Sequence, residues 1–219
     1  MTESELRKKV AETAEKFIGT IQGSVKHKDL VDIYNGYTPR PRGHKLTYIE
    51  PWCAGFVSAI AIQCGIPDIM PVECSCGQMV KLYQGLGRWV EDDAYRPQLG
   101  DVIFYFWNDK ANYKTTDQTG APNHTGIVCE LDGDAFTVVE GNRIINNVSQ
   151  VAYRTMQING RYIRGYGVPD YASKKEKPWY EDAMTWTKEI GLMDGTRPLD
   201  NVTRAELATV AKRLYELLS

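Results

Sequence analysis

Cys53, His124 and a side-chain acceptor at Glu140 or Asn142 have the types and settings that thiol chemistry requires. Cys53 heads an apolar stripe in which Phe56, Val57, Ile60, Ala61 and Cys64 follow at the spacing of one helix face. Gly65 and Pro67 supply the stop signal. A thiol in the first turn of a helix feels unpaired backbone N–H groups and the positive end of the helix dipole. Both favour thiolate, the nucleophilic form. A cysteine in such a place otherwise serves as a small apolar residue opening a buried helix. A thiolate nucleophile needs a base, and the base needs an orienting acceptor. His27 and His44 stand in polar surroundings outside the strands, whereas His124 opens a strand and is followed by Thr125 and Gly126. That puts an imidazole at a strand end beside a small residue, where a substrate can approach. Glu140 closes an apolar strand, where an unpaired carboxylate is costly. Asn142 carries an amide oxygen able to hold an imidazole N–H. Either can orient His124.

The elements that must position these residues read as helices first and strands later. Residues 4–19 form an amphipathic helix with Leu6, Val10, Ala14, Phe17 and Ile18 on one stripe, broken by Gly19 and Gly23. A short helical turn is expected near Leu30, Val31 and Ile33, then a loop over 37–43 (YTPRPRG). After the Cys53 helix, Pro71 and the Cys74 region open another, running through Met79, Val80 and Tyr83 to Gly85 or Gly87. From there the period changes. Residues 101–107 (DVIFYFW) read as a buried strand, 110–122 as a long polar loop, and 124–131 as a second strand. Asp132 and Gly133 mark a tight turn, and 135–140, 151–156 and 162–167 give three more strands. This order predicts an α+β fold with an antiparallel sheet.

The hairpin register bears on the chemistry. A two-residue loop at Asp132 and Gly133 pairs Leu131 with Asp134, sets His124 opposite Gly141 and sends Glu140 to the other face. A three-residue loop pairs His124 with Asn142 and brings Glu140 to their face. One slip flips every side chain. The apolar pattern favours the first register, because Ile127 and Cys129 then meet Val138 and Phe136. The constellation requires the second, or a bulge.

Composition sets the outer bounds. The 219 residues allow one good-sized domain and a small one, with 42% hydrophobic and 25% charged residues as in ordinary globular proteins. A formal net charge of −2 gives no basic excess for nucleic acid. No segment approaches the ~18 apolar residues of a membrane span. The start (MTESELRKK) has no apolar core of signal-peptide length. Thirteen tyrosines and five tryptophans would suit a groove for sugars or peptides. The five cysteines are an odd number, and Cys74 and Cys76 are too close for an ordinary bridge. They either flank the groove, or one of them bridges elsewhere. Cys64 and Cys129 read as core. The spacings and scattered histidines disfavour a zinc site.

The runs Trp52-Cys53-Ala54-Gly55-Phe56-Val57-Ser58, Gly100-Asp101-Val102-Ile103-Phe104, Asn123-His124-Thr125-Gly126-Ile127-Val128 and Val139-Glu140-Gly141-Asn142 together resemble the CHAP amidohydrolase/peptidase domain, and Gly165-Tyr166-Gly167-Val168-Pro169 is similar to that family's closing strand. The resemblance covers about residues 10–171. It implies a papain-like fold, with N-terminal helices packed on an antiparallel sheet or half-barrel. It implies cleavage of an amide bond in bacterial peptidoglycan, either as an N-acetylmuramoyl-L-alanine amidase or as a peptide endopeptidase. By the same resemblance Cys53 matches the nucleophile, His124 the base, Glu140 the orienting acid and Asn142 a fourth polar member. The Cys53 N–H would contribute to an oxyanion hole. Trp52 and Trp107 are candidates for lining the groove, although aromatics in apolar runs commonly belong to a core. Some members bind calcium through acidic residues ahead of the cysteine. Residues 44–50 lack that pattern, so no metal and no cofactor is expected.

A charged linker over 173–177 (SKKEK) separates a catalytic domain, 1–172, from a helical pair, 178–219. The pair is expected at 179–190 and 201–218, with Thr203 and Glu206 forming a capping box. Asp194-Gly195 and Pro198-Leu199-Asp200-Asn201-Val202-Thr203-Arg204-Ala205-Glu206-Leu207 resemble one S-layer-homology module, which implies grip on a secondary cell-wall polymer through Arg204. The alternative is a plain helical hairpin. The expected partners are therefore peptidoglycan and such a polymer, with no nucleic acid and no membrane. The missing leader favours a phage endolysin, cytoplasmic until released, over a secreted autolysin whose leader has been removed. A cysteine protease or transamidase acting on protein, and a non-catalytic wall-binding protein, are the competing classes.

Overall fold

A computed structural model describes residues 1–107, 120–174, 180–194, 196 and 200–218. The chain divides into two compact units, Met1–Lys174 and Lys175–Ser219. In the first, helices α1 (Glu3–Glu15), α2 (Val25–Gly36), α3 (Cys53–Cys64) and α4 (Cys76–Gly85) precede six strands. The strands are β1 (Trp89–Val90), β2 (Val102–Tyr105), β3 (His124–Asp132), β4 (Ala135–Ile145), β5 (Val148–Gln157) and β6 (Ile163–Gly167). They form one antiparallel sheet in the order β1-β6-β2-β3-β4-β5. The result is a mixed fold of helices and antiparallel sheet. Among the described residues no helix is long and apolar enough to cross a membrane. Most of the expected polar loop, through residue 119, lies outside the described residues, as do most of the charged linker and Gly195, Pro198 and Leu199 of the module-like run.

α1 opens on a capping box between Thr2 and Glu5 and buries Leu6, Val10, Ala11 and Ala14. It ends at Glu15, short of the expected 19, and Phe17 and Ile18 pack on the core from the turns that follow. α2 is a full helix of twelve residues where only a turn was expected. Its buried face is His27, Leu30, Val31 and Tyr34, a complete i, i+3, i+4, i+7 stripe. The stripe is hidden in the sequence because its ends are a histidine and a tyrosine.

α3 has the expected bounds and ends on Gly65 at φ 75°, a left-handed cap. It is not one-sided, however: ten of its twelve residues are buried, including Ala54, Gly55, Ser58 and Ala59. It packs against α1, α2, β3 and β4 and is the central post of the unit. The main core lies between the helices and one sheet face, with Val102, Phe104, Ile127, Val139 and Val151. The opposite sheet face carries a second cluster of Ile103, Tyr105, Val128, Phe136, Val138 and Tyr166, covered by Tyr95, Trp107, Met156 and Ile163. Burial on both faces explains the continuous apolar run of β2.

The hairpin differs from both registers considered. The loop is Gly133 and Asp134, with Asp132 opposite Ala135, one residue beyond the expected turn. Gly133 sits at φ 60°, which a side chain would resist. A bulge at Cys129 then shifts the ladder, so that Val128 faces Val138 and Ile127 faces Val139. The pairing favoured by the apolar pattern, Ile127 with Val138, does not occur. Because both faces are buried, apolar matching could not discriminate between registers. Beyond the bulge the strands follow the alignment that the constellation requires.

β4 lies directly against α3. A Cβ on Gly141 would stand 2.5 Å from Phe56 Cβ and 3.0 Å from Trp52 Cζ3. Gly141→Ala is therefore expected to destabilise the protein by about 1–3 kcal/mol through overpacking. Gly36→Ala, where nothing lies within 4 Å of the added carbon, should be near neutral. Urea denaturation of both variants checks this, and equal midpoints would contradict it.

The second unit holds α5 (Glu181–Glu189) and α6 (Arg204–Leu218). The expected capping box is present. Glu206 N–H donates to Thr203 Oγ1 at 3.1 Å, and Thr203 N–H donates to Glu206 Oε2 at 2.9 Å.

Candidate active site

Cys53 is the first residue of α3, and Trp52 before it offers no side-chain cap. The sulfur takes up that role, meeting the Ala54 N–H. Trp52 is 1% exposed and stands edge-on to His27 at 4.5 Å. Its indole N–H donates to Ser149 Oγ at 3.2 Å, and Ser149 donates to Asn142 Oδ1 at 2.8 Å. Two expectations are corrected by this chain of contacts. Trp52 is a core anchor for the start of α3, not a wall of the groove. Asn142 makes no hydrogen bond to His124. It sits at φ 57° in a bulge of β4, and its amide holds the residue before the cysteine in place.

A second helix start faces Cys53. Ser58 on α3 donates to the Glu73 carbonyl at 2.7 Å and accepts the Glu73 N–H at 2.8 Å. The Glu73 carboxylate, itself buried, receives the N–H groups of Cys74 and Ser75 and a two-pronged bond from Arg42 at 2.7 and 3.0 Å. This clamp pins the approach to α4 and places Cys76 Sγ 3.7 Å from Cys53 Sγ. Cys76 is buried, whereas Cys74 is half-buried and its sulfur meets Arg42. Cys64 and Cys129 lie in the core.

His124 opens β3 and is 7% exposed. Its Nε2 meets Glu140 Oε2 at 3.1 Å, and the ring also interacts with the side chain of Cys53. Glu140 is wholly buried, and its other oxygen accepts from Arg154 Nε on β5 at 2.6 Å. Gly126 makes room for this: a Cβ there would lie 2.8 Å from Glu140 Cγ. Trp107 stacks on Tyr105, carries the Arg154 guanidinium 4.6 Å above its ring, and lies 6.2 Å from the His124 ring. Of the other histidines, His27 is buried with Nδ1 accepting the Gly23 N–H. His44 bonds Glu50 in the wall of an open groove of about 350 Å³. Cys53, Cys76, Arg42, His44 and Asn123 also line that groove.

The charges follow from these contacts. The thiol of Cys76 donating to its sulfur, then His124 and the Ala54 N–H, hold Cys53 well below the ordinary thiol value against the opposing effect of burial. Cys76, bonded to that sulfur and buried, is pushed well above it. Burial alone would depress His124, yet Cys53 and Glu140 raise it to about 9. Burial would raise Glu140, but His124 and Arg154 keep it low. These shifts favour a thiolate beside an imidazolium, backed by a carboxylate that also binds a guanidinium. Among the described residues no group of three or more His, Cys, Asp or Glu side chains is placed to hold a metal ion.

Cys74 and Cys76 both line the groove, one of the two alternatives the sequence leaves open, whereas Arg154 and the Ser58–Glu73 clamp have no place in the expectations. For Arg154 a signal existed, since a buried Glu140 demands a cation and β5 is the neighbouring strand.

The family model described as the CHAP domain matches residues 44–142. That span contains Cys53, His124, Glu140 and Asn142. It is narrower than the 10–171 over which the motifs were read. The family is typically hydrolytic, with amidase or peptidase activity. No curated protein and no solved structure matches the chain.

Arg154→Met would strand one oxygen of a buried carboxylate. A loss of about 1–3 kcal/mol in urea denaturation is expected. Combining it with Glu140→Gln should cost less than the sum of the two. Strict additivity would show that the two side chains do not act as a pair.

Proposed function

We propose that the protein is a cysteine-dependent peptidoglycan hydrolase that cleaves an amide bond of the bacterial wall, either between glycan and stem peptide or within the peptides. The observation that carries this reading is His124 held between the Cys53 sulfur and Glu140 inside the CHAP match. The Cys53 thiolate attacks the amide carbonyl. The developing oxyanion is met by the N–H groups at the start of α3. The His124 imidazolium gives its proton to the leaving amine. As a neutral ring it then takes a proton from water, and the hydroxide released attacks the thioester and regenerates the thiolate. Glu140 orients the ring and steadies its charge, and Arg154 positions Glu140. Trp107, half-buried and stacked on Tyr105, stands beside the His124 ring.

Cys53→Ala should abolish release of soluble fragments from purified peptidoglycan, and His124→Ala should slow it by roughly 10²–10⁴-fold. Mass spectrometry of the fragments distinguishes a new N-terminal amine on free stem peptides from cuts within the peptides. Turnover surviving Cys53→Ala would remove the sulfur from the reaction.

The pH dependence has a definite sign. The leaving amine needs the His124 proton, present below about 9 and lost above it. The attack needs thiolate, present down to pH values well under the ordinary thiol pKa. kcat/KM should therefore fall as pH rises through about 9, and its acid limb should lie well below the ordinary thiol pKa. A profile that rises with an ordinary thiol pKa would contradict the ion pair.

The second unit is read as a wall-binding module. Its support is the resemblance around Arg204, which is exposed, and a cavity of about 300 Å³ lined by Asp194, Thr196, Asp200, Asn201, Glu206 and Arg213 among others. Full-length Cys53→Ala protein should sediment with cell walls, and removal of 175–219 should leave it in the supernatant. Equal sedimentation of both would reduce the unit to a plain helical hairpin.

A further inference from the structure

Two sulfurs in contact at the mouth of two helices have a chemistry of their own, beyond hydrolysis. Cys53 and Cys76 are both buried, yet both line the open groove, so a molecule as small as a peroxide can reach them. Their sulfurs are 3.7 Å apart, and a disulfide needs ~2 Å. Closing that gap takes side-chain rotation and a shift of the first turn of α4. Ser75 gives that turn no side-chain cap, and the Glu73 clamp holds only the residues before it. Cys64 and Cys129 have no such setting. Cys129, at its bulge, donates to the Thr137 carbonyl.

We propose that Cys53 and Cys76 form a reversible modification site that takes a hydroperoxide and closes into a disulfide. The Cys53 thiolate attacks one peroxide oxygen. An S–O bond forms, the O–O bond breaks, and the leaving alkoxide or hydroxide takes its proton from His124. Sulfur is oxidised to the sulfenic acid and the peroxide is reduced. Cys76 then attacks the sulfenic sulfur. An S–S bond forms, the S–OH bond breaks, and the hydroxyl leaves as water with the Cys76 proton. The sum is two thiols and one hydroperoxide giving a disulfide, an alcohol or water, and one water. The disulfide removes the sulfur that hydrolysis needs and keeps it from irreversible oxidation to the sulfinic acid. A thiol reductant restores it. As regulation of the proposed site this rests on the reading of Cys53 as a reactive thiolate, but its test needs no wall substrate.

The full chain is treated with hydrogen peroxide, quenched with an alkylating reagent and mapped by peptide mass. The expected product is a linked peptide pair carrying Cys53 and Cys76, lighter by two hydrogens, with both thiols recovered for alkylation after dithiothreitol. Cys74→Ser should give the same link. Cys76→Ser should instead accumulate oxygen adducts on Cys53 that dithiothreitol does not reverse. Oxygen adducts on Cys53 of the unmutated protein without the link, or a link through Cys74, would overturn the proposal. Because the readout is mass, a missing disulfide in a protein that still digests walls would leave the hydrolase reading standing. A disulfide in a protein that digests nothing would do the reverse.

Discussion

A buried thiolate and a buried imidazolium each carry a heavy desolvation cost alone, and each removes most of that cost from the other. The site depends on this mutual dependence. Cys53 is held low by a neighbouring thiol, by the ring of His124 and by a helix start, and His124 is held high by the sulfur and by Glu140. Glu140 could not remain charged in its fully buried position without two cations, and it has them in His124 and Arg154. The result is a short relay of alternating charge, from sulfur to ring to carboxylate to guanidinium. It runs from α3 across β3 and β4 to β5.

Backbone irregularities make the relay fit. The bulge at Cys129 turns β3 so that its far end follows the alignment His124 and Glu140 require. Gly126 leaves the space through which Glu140 reaches the ring, and Gly141 lets β4 rest on α3. The bulge that holds Asn142 turns its amide toward Ser149 and Trp52. The strand pair therefore serves both His124 and the helix that carries Cys53. On the other side, Ser58 and Glu73 bring α4 to the same point, so two helix starts converge on one sulfur.

Much of this was legible in the amino-acid order. A cysteine ahead of an apolar run with a glycine stop gives α3 to the residue, and the α+β succession follows from the change of period near residue 100. His124 and Glu140 stood out because an imidazole at a strand start and a carboxylate at an apolar strand end both demand explanation. What escaped notice shares one cause: polar residues buried by tertiary contacts look exposed in sequence. His27 and Tyr34 concealed α2. The second sheet face, filled in the hairpin itself by Val128, Phe136 and Val138 and covered beyond it by Tyr105 and Tyr166, removed the alternation that would have fixed the hairpin register. Cys76 became a neighbour of Cys53 only through the Ser58–Glu73 clamp, which no local pattern announces. Asn142 is close in sequence to Glu140, but the bulge turns it to a different task.

The most direct test of the central claim is the titration of His124 by NMR, with histidine-labelled protein and the resonance assigned through a His124→Gln variant. The ring should remain protonated through neutrality and titrate at about 9, and its pKa should fall in Cys53→Ala, where the sulfur is gone. Titration near the ordinary value of 6.5, indifferent to the loss of Cys53, would contradict the ion pair on which the account rests.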